Sequence, residues 1–293
     1  MASTPARPAA TPALQDAHDL RERALQALLC DDPAVKASAT QALWQTLRDL
    51  QAVGQADAVL ERQAALVLPE PAAPLPGRPG RPLLVPPADV PHRTPFTPEG
   101  LAAQLHAIAH IEFNAINLAL DAVWRFGGMP ADYYRDWLRV AHEEATHFGL
   151  LAGLLGDMGH AYGDFSAHDG LWTMCVRTQD DITARMALVP RTLEARGLDA
   201  TPLIQRRLRQ VGTPHACKAV DILDIILRDE IGHVAVGNRW YGWLCERQGL
   251  DPVSHYRLLA RRHAAPRPRP PLNEAARRAA GFSDVEMAAL MAE

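Results

Sequence analysis

Apolar residues recur every three or four positions along most of the chain, which is the spacing of one face of an α-helix. The pattern runs through residues 16–66, 97–127, 130–156 and about 171–249, with polar or proline-rich segments between them. No segment alternates apolar and polar residues over the length of a strand. The sequence therefore predicts an all-α protein.

Capping residues set the limits of the first two long helices. Thr97 is placed to cap the first helix, with Pro98 at its first turn, and Gly127 marks its end. Pro130 begins a second helix that lasts to about Gly156. A short connection between two long helices predicts that they fold back as an antiparallel pair.

Similar signals predict the remaining helices. A third helix covers about Leu171–Arg196, with Gly197 as its C-terminal stop. Thr201-Pro202 begins a short helix, and Thr213-Pro214 begins a long one that continues to about Gly249. Four long helices predict a four-helix bundle.

Proline divides the chain into parts. Eleven of the 24 prolines lie between Pro69 and Pro98, a density that neither a helix nor a central strand tolerates. The segment before this stretch is predicted to form two or three short helices, and the linker to lie along the main domain. The predicted parts are an N-terminal helical extension (1–66), a Pro-rich linker (67–96), a four-helix bundle (97–250) and an Arg/Pro-rich C-terminal tail with a short helix (251–293).

Composition excludes several classes of protein. The chain has no apolar run of about 20 residues, so no membrane span is predicted. Met1–Leu14 lacks the basic and apolar regions of a secretory signal, and the predicted location is the cytoplasm. The net charge of −4 gives no global attraction to nucleic acid. The four cysteines form no Cys-x-x-Cys pair, which argues against disulfide frameworks and thiolate zinc sites.

Two Glu-x-x-His pairs stand out within the helices. Glu144 and His147 lie in the second helix, and Glu230 and His233 repeat the spacing in the last long helix. Residues three apart project from one helical face, so each pair can chelate an ion. Both pairs lie among apolar residues at helical spacing, where an ionised carboxylate is costly unless it is paired or bound to metal.

Two more glutamates complete the predicted set. Glu112 interrupts the apolar stripe of the first helix, 15 residues before Gly127. Glu144 lies 14 residues after Pro130, so an antiparallel pair brings both glutamates to nearly the same level. The third helix is expected to contribute Glu194, because the 36 residues to Glu230 resemble the 32 between Glu112 and Glu144. Asp180 and Asp181 remain competitors for that position.

Four carboxylates and two imidazoles form the ligand set of ferritin-like di-iron and di-manganese proteins. Oxygen and imidazole ligands suit two iron ions, with manganese or a mixed iron and manganese pair as the alternative. Glu143 and Asp229 each precede a ligand histidine by four residues, so they are expected to orient His147 and His233 from the same helix. The nearby His106, His110 and His142 lack ligand spacing and are interpreted as polar core or surface residues.

Seven segments of the chain carry a resemblance to a known family: RPLLVPPADVPHR, HAIAHIEFNAINLALD, DWLRVAHEEATHF, AYGDFSAHDGLW, RMALVPRTLEARGLDATP, ILRDEIGHVAVGNRWYGWLC and PLNEAARRAAGFS. Over almost its whole length the sequence resembles the ferritin-like family known by the label DUF455. The resemblance implies a ferritin-like bundle, a metal site at the six positions named above, and no assigned reaction. LEARG at Leu193–Gly197 and RDEIGH at Arg228–His233 are also distantly similar to a di-iron tRNA-modifying hydroxylase family, which supports Glu194 as a ligand.

The predicted function is that of a non-haem di-iron oxidoreductase that activates dioxygen to hydroxylate or oxidise an unknown substrate, with an unknown electron donor. One alternative is metal storage without substrate chemistry. Another is an RNA-modifying hydroxylase whose C-terminal arginines contact phosphates. Those arginines are Arg257, Arg261, Arg262, Arg267, Arg269, Arg277 and Arg278.

Overall fold

The computed structural model of the chain describes residues 20–291, and within them the regular structure is helical apart from one isolated bridge between Leu84 and Ala167. The prediction of an all-α bundle is confirmed. Residues 1–19 and 292–293 lie outside the described part, and so does the prediction for Met1–Leu14. Across residues 20–291, each helix is too short or too polar to cross a membrane.

The α-helices are numbered in chain order, and a π-helical segment separates α7 from α8. They are α1 (Leu20–Leu29), α2 (Pro33–Ala52), α3 (Ala56–Ala64), α4 (Pro98–Arg125), α5 (Ala131–Asp157), α6 (Gly170–Arg177), α7 (Ile182–Leu188), the π-helical segment (Val189–Glu194), α8 (Ala195–Val211), α9 (Pro214–Gln248), α10 (Pro252–Arg262), α11 (Glu274–Ala279) and α12 (Asp284–Met291).

The long helices begin where the capping residues predict. The Thr97 hydroxyl accepts a hydrogen bond from the Gly100 backbone N–H at 3.1 Å, and Thr213 caps α9 in the same way through the Ala216 N–H at 3.3 Å. A proline follows each cap, where its missing N–H costs nothing. α5 packs against α4 on one side and α9 on the other, so it occupies a central position in the bundle.

The third helix differs from the prediction. It breaks at residues 178–181, passes through the π-helical segment and then continues as α8 straight through Gly197 and Pro202. The predicted stop at Gly197 and the predicted start at Thr201-Pro202 are both wrong. Pro202 has no N–H to donate to the Leu198 carbonyl one turn earlier, and the Asn273 side chain donates to that carbonyl instead, at 3.1 Å.

The Pro-rich segment lies against the bundle rather than apart from it. The Gly77 N–H donates to the Leu28 carbonyl at 2.9 Å, and the Val85 N–H donates to the Ala167 carbonyl at 2.8 Å. Arg78 forms a 2.7 Å ion pair with Asp169. These contacts join the segment to α1 and to the loop before α6.

One face of α4 carries a row of polar side chains that the surrounding segments cover. The buried Lys36 ammonium of α2 donates to Asn117 in this row and to the Gly77 carbonyl, so one side chain joins α2, the Pro-rich segment and α4. Each such contact supplies a partner that a buried polar group needs. The members of the row are His106, His110, Asn114, Asn117, Asp121 and Arg125.

The C-terminal tail folds back onto the bundle as α10, α11 and α12, where the sequence predicts a single short helix. Arg191 of the π-helical segment forms a 2.6 Å ion pair with Glu286 of α12. Arg277, which the RNA alternative assigns to phosphate contact, is buried and forms a 2.7 Å ion pair with Asp199. Arg277 therefore attaches the tail to α8 and is not available for contact with phosphate.

Candidate metal centre

The structure brings all six predicted ligands into the interior between α4, α5, the π-helical segment and α9. Each lies on the apolar side of its helix, as the periodicity predicts, and each is buried. Their exposed fractions are 3% for Glu112, 0% for Glu144, 0% for His147, 7% for Glu194, 7% for Glu230 and 0% for His233.

Glu144 lies at the centre of this group, between the two histidines. Its Oε2 atom is 3.4 Å from Nδ1 of His147, and its Oε1 atom is 2.8 Å from Nδ1 of His233. Each carboxylate oxygen thus faces a different imidazole through the equivalent ring nitrogen. A carboxylate in this position can serve two ions at once.

The ligand atoms fall into two clusters that share Glu144. Glu112, Glu144 and His147 form one, Glu144, Glu230 and His233 form the other, and within each the ligand atoms lie within 4.8 Å of one another. The Nδ1 atom of His147 is 3.3 Å from Glu112, and that of His233 is 4.0 Å from Glu230. Two overlapping clusters are the arrangement expected for a pair of ions with a common carboxylate.

Glu194 enters from the π-helical segment and lies outside both of these clusters. It is nevertheless buried, and neither of its carboxylate oxygens has a hydrogen-bond partner. Burial raises the pKa of Glu194, and the negative charge of Glu144 adds to the shift. The competitors lie elsewhere, because Asp180 is exposed and Asp181 caps α7 through the Ala184 N–H at 2.9 Å.

The outer nitrogens of both imidazoles contact acids from the opposite helix. Nε2 of His147 on α5 is 3.2 Å from Oδ2 of Asp229 on α9. Nε2 of His233 on α9 is 2.8 Å from Oε2 of Glu143 on α5. The expectation that each acid orients the histidine of its own helix is therefore wrong, since the partners are exchanged between α5 and α9.

Burial and mutual repulsion control the ionisation of the outer glutamates. Burial raises the pKa of Glu112 to about 7 and that of Glu194 to about 8, and the negative charge of Glu144 adds to both shifts. The pKa of Glu230 rises well above its ordinary value for the same two reasons. These three carboxyls therefore hold protons in the metal-free protein under conditions in which exposed glutamates are ionised.

The central groups shift in the opposite sense. Burial disfavours the charged form of Glu144, but the positive charge of His233 and hydrogen bonds from both histidines outweigh it and lower the pKa. Burial alone would also lower the pKa of His147, whereas hydrogen bonds to Glu112 and Glu144 raise it to about 11. His233 follows the same rule, and its pKa is raised well above the ordinary value. In the metal-free protein, protons on His147 and His233 thus supply the positive charge that metal ions would supply in the loaded centre.

Unsatisfied buried atoms fit the binding of metal. Within residues 20–291, three carboxylate oxygens at this centre have no hydrogen-bond or ion-pair partner, which is costly for polar groups away from water. Carboxylate oxygens and imidazole nitrogens are donors that iron and manganese accept. The atoms are Oε1 and Oε2 of Glu194 and Oε2 of Glu230.

The other three histidines belong to the surrounding packing. His106 accepts a hydrogen bond from the Gly163 N–H at 2.8 Å, and His110 contacts the Tyr162 hydroxyl at 2.9 Å. His142 stacks on Trp44 with ring centroids 5.8 Å apart. Their interpretation as polar packing residues agrees with these contacts.

Comparison with known proteins gives two matches. A family model described as "Protein of unknown function (DUF455)" matches residues 29–288 of this chain. An uncharacterized protein of Haemophilus influenzae (strain ATCC 51907 / DSM 11121 / KW20 / Rd) is 53% identical over 216 residues, which cover 71% of this chain and 74% of that protein. No solved structure matches the chain.

Proposed function

The chain belongs to the DUF455 family, whose description states no activity, and from the site itself we propose a ferritin-like carboxylate protein that binds two iron ions and acts as an oxidoreductase with dioxygen. Manganese, or one ion of each metal, is the alternative content. The ferritin-like assignment is supported by the order of ligands along four successive helical segments: Glu, Glu-x-x-His, Glu, Glu-x-x-His.

The observation that carries this proposal is the position of Glu144. Its two oxygens face Nδ1 of His147 and Nδ1 of His233, at 3.4 and 2.8 Å. A purely structural polar network would pair each buried oxygen with a donor, but here oxygens of Glu194 and Glu230 lack any. The surplus of acceptors supports cations as the missing partners.

Each side chain has a role in the proposed centre. Glu112 and His147 would hold one ion, Glu230 and His233 the other, and Glu144 would contact both, with Glu194 completing the acidic set. Reduced iron bound here would supply the electrons for dioxygen activation. The ligands are at most 7% exposed, so the surrounding helices exclude bulk water from them.

Asp229 and Glu143 act on the histidines from the solvent side. Each accepts the Nε2 hydrogen of an imidazole, so Nδ1 faces the interior and would be the nitrogen that binds metal once it loses its proton. Their side chains are 19% and 30% exposed, whereas the imidazoles are fully buried. Protons that the ligands lose when metal binds have a route to water through these two acids.

Metal analysis of protein purified without chelators tests the metal content. We expect two iron or manganese ions per chain, together with the spectroscopic signature of an oxygen-bridged pair after exposure to air. The Glu144→Gln variant should retain fewer ions because it changes the residue shared by both clusters. A wild-type protein that binds neither metal would overturn the proposal.

A second experiment separates oxidation chemistry from storage. Protein reconstituted anaerobically with Fe(II) is supplied with a reductant and dioxygen, and dioxygen consumption is followed over many turnovers. Sustained consumption at a fixed content of two ions per chain supports an oxidoreductase. Accumulation of many more ferric ions than two per chain would instead indicate storage.

A further inference from the structure

A polar cavity lies outside the metal centre, between the Pro-rich segment, α4, α6 and α7. Its volume is about 190 Å³. Asp121, Arg125 and Arg185 supply its charged wall, Leu75 and Trp172 supply apolar surface, and Glu70 lies at its rim. It includes none of the six proposed metal ligands.

The charged wall carries more positive than negative charge. Arg125 pairs with Asp121 at 2.8 Å, and Arg185 pairs with the other oxygen of the same carboxylate. The side chains of Asp121, Arg125 and Arg185 are 0%, 11% and 2% exposed. One buried guanidinium, that of Arg185, and one partly buried guanidinium, that of Arg125, therefore share one buried carboxylate.

Glu70 is the other acid lining the cavity, and it compensates this excess poorly. Its Oε1 atom is 3.3 Å from Nη1 of Arg125, but its side chain is 76% exposed. An exposed ion pair of this length contributes little because water screens the charges. The Nε and Nη2 atoms of Arg125 bind Asp121, so Nη1, which is paired here with this exposed acid, is the atom that another anion can reach.

Arg185 is fully engaged within the protein. Its Nε donates to Thr178 at 2.9 Å and its Nη2 to the Cys175 carbonyl at 2.6 Å, while Nη1 binds Asp121. The anion-binding group of the cavity is therefore Arg125. Because Asp121 occupies the Nε side of this guanidinium, a planar carboxylate can bind the opposite edge through two hydrogen bonds, one from Nη1 and one from the second N–H of Nη2.

Apart from Cys175 and Gln179, the rest of the wall is apolar and favours an apolar body for the ligand. Pro71, Ala73, Leu75, Trp172 and Val176 line the cavity beside Arg125. The volume is below the roughly 300 Å³ of pockets that hold drug-sized molecules. A short carboxylic acid with a hydrocarbon chain matches both the size and the chemistry.

We propose that this cavity binds a small organic carboxylate, whose carboxylate group replaces Glu70 on Arg125 while its hydrocarbon chain contacts Leu75 and Trp172. The proposal does not rest on the metal chemistry. It can be tested on the full-length metal-free chain.

Isothermal titration calorimetry with hexanoate measures the binding directly. Hexanamide has the same shape without the charge, and acetate has the charge without the chain. We expect each control compound to bind at least about tenfold more weakly than hexanoate, because each loses one of the two interactions. Equal affinity for hexanoate and hexanamide would overturn the proposal.

Variants at exposed positions keep the test independent of folding. Glu70→Gln removes the competing acid and should tighten hexanoate binding about two- to fivefold. Ala73→Trp should block the cavity and abolish binding, whereas Glu61→Gln, at an exposed position in α3, should change nothing. Arg125→Gln should lose binding, with circular dichroism confirming the fold. Unchanged affinity in both Ala73→Trp and Arg125→Gln would place hexanoate elsewhere and refute the site.

Discussion

Glu143 holds His233 across the interface between two helices. Its Oε2 atom lies 2.8 Å from Nε2 of the imidazole, with the acid on α5 and the histidine on α9. Asp229 on α9 holds His147 on α5 in the reciprocal arrangement. Each histidine is thus oriented by the helix that carries the other histidine, so the packing of α5 against α9 and the geometry of the ligands depend on the same contacts.

The contacts of Glu143 with His233 and of Asp229 with His147 cross between α5 and α9. Removing one of these crossed contacts should weaken metal binding at one of the two ion positions more than at the other. Glu143→Gln should reduce affinity at the Glu230 and His233 position by about tenfold, because the imidazole loses its charged acceptor. Asp229→Asn should act in the same way on the position of Glu112 and His147. Anaerobic titration with Fe(II) or Mn(II) would resolve the two steps.

The control for both variants is Asp180→Asn, which changes an exposed acid outside the centre. Its two binding steps should match those of the wild type. If Glu143→Gln and Asp229→Asn behave like this control, the crossed contacts do not support the metal ligands.

Bound metal should stabilise the fold. At a concentration one hundred times its dissociation constant, an ion that binds only the folded state adds about 2.7 kcal/mol to the free energy of unfolding. Glu230→Gln should remove much of that gain, yet leave the metal-free protein at least as stable, because it replaces a carboxyl whose ionisation burial and the charge of Glu144 both disfavour with a neutral amide. Thermal unfolding with and without Mn(II), and with anaerobic Fe(II), measures both effects. A wild-type melting temperature indifferent to both metals would contradict the proposed centre.

Stability of the metal-free protein should depend on pH through Glu194. Its pKa is about 8 in the folded protein against an ordinary value of 4.5, so the folded state keeps a proton that the unfolded chain loses between these limits. The contribution of this group to stability is present below about pH 4.5 and is lost as the pH rises to about 8. Glu194→Gln cannot titrate, so the stability of the wild type relative to this variant should fall across that range.

Denaturant unfolding of both proteins at several pH values tests this dependence, and subtracting the two curves cancels the titration of distant groups. Metal-loaded wild type should show the reverse trend, because metal binding requires deprotonated ligands. A difference between the metal-free proteins that rises with pH would show that Glu194 is ionised without metal.

Local sequence signals were sufficient to predict most helices of the bundle and to predict that Glu112 and Glu144 lie at the same level along it. Thr97 and Thr213 cap α4 and α9 as predicted, since a cap depends on residues within one turn. Glu112 and Glu144 are separated from the turn between α4 and α5 by nearly equal numbers of residues, and this count predicted that they lie side by side. His147 contacts both carboxylates, at 3.3 and 3.4 Å.

Long-range contacts account for the parts that the sequence did not predict. Pro202 has the local signature of a helix start, but Asn273, 71 residues later, satisfies the carbonyl that the proline leaves free. Glu143 and Asp229 have the spacing of same-helix partners, but the partner of each lies on another helix. Only the packed structure supplies these contacts.

Gly237 should control the position of Glu194 although it is no ligand. It lies on α9 opposite the π-helical segment, and a Cβ atom placed there would come within 2.6 Å of the Pro190 side chain. The proline ring is rigid, so Gly237→Ala must move the π-helical segment that carries Glu194 or separate it from α9. We expect a loss of about 1–3 kcal/mol in stability from this overpacking, together with weaker metal binding.

Two other glycines of α9 provide matched controls for the Gly237 variant. A Cβ atom at Gly232 or Gly242 would have no atom within 4 Å outside its local helix backbone, so alanine there should stabilise the helix by up to about 1 kcal/mol. Comparing the three alanine variants in thermal unfolding and in Mn(II) titration separates close packing from helix propensity. If Gly237→Ala gains stability as the other two do and keeps wild-type metal affinity, then the contact between α9 and Pro190 does not position Glu194.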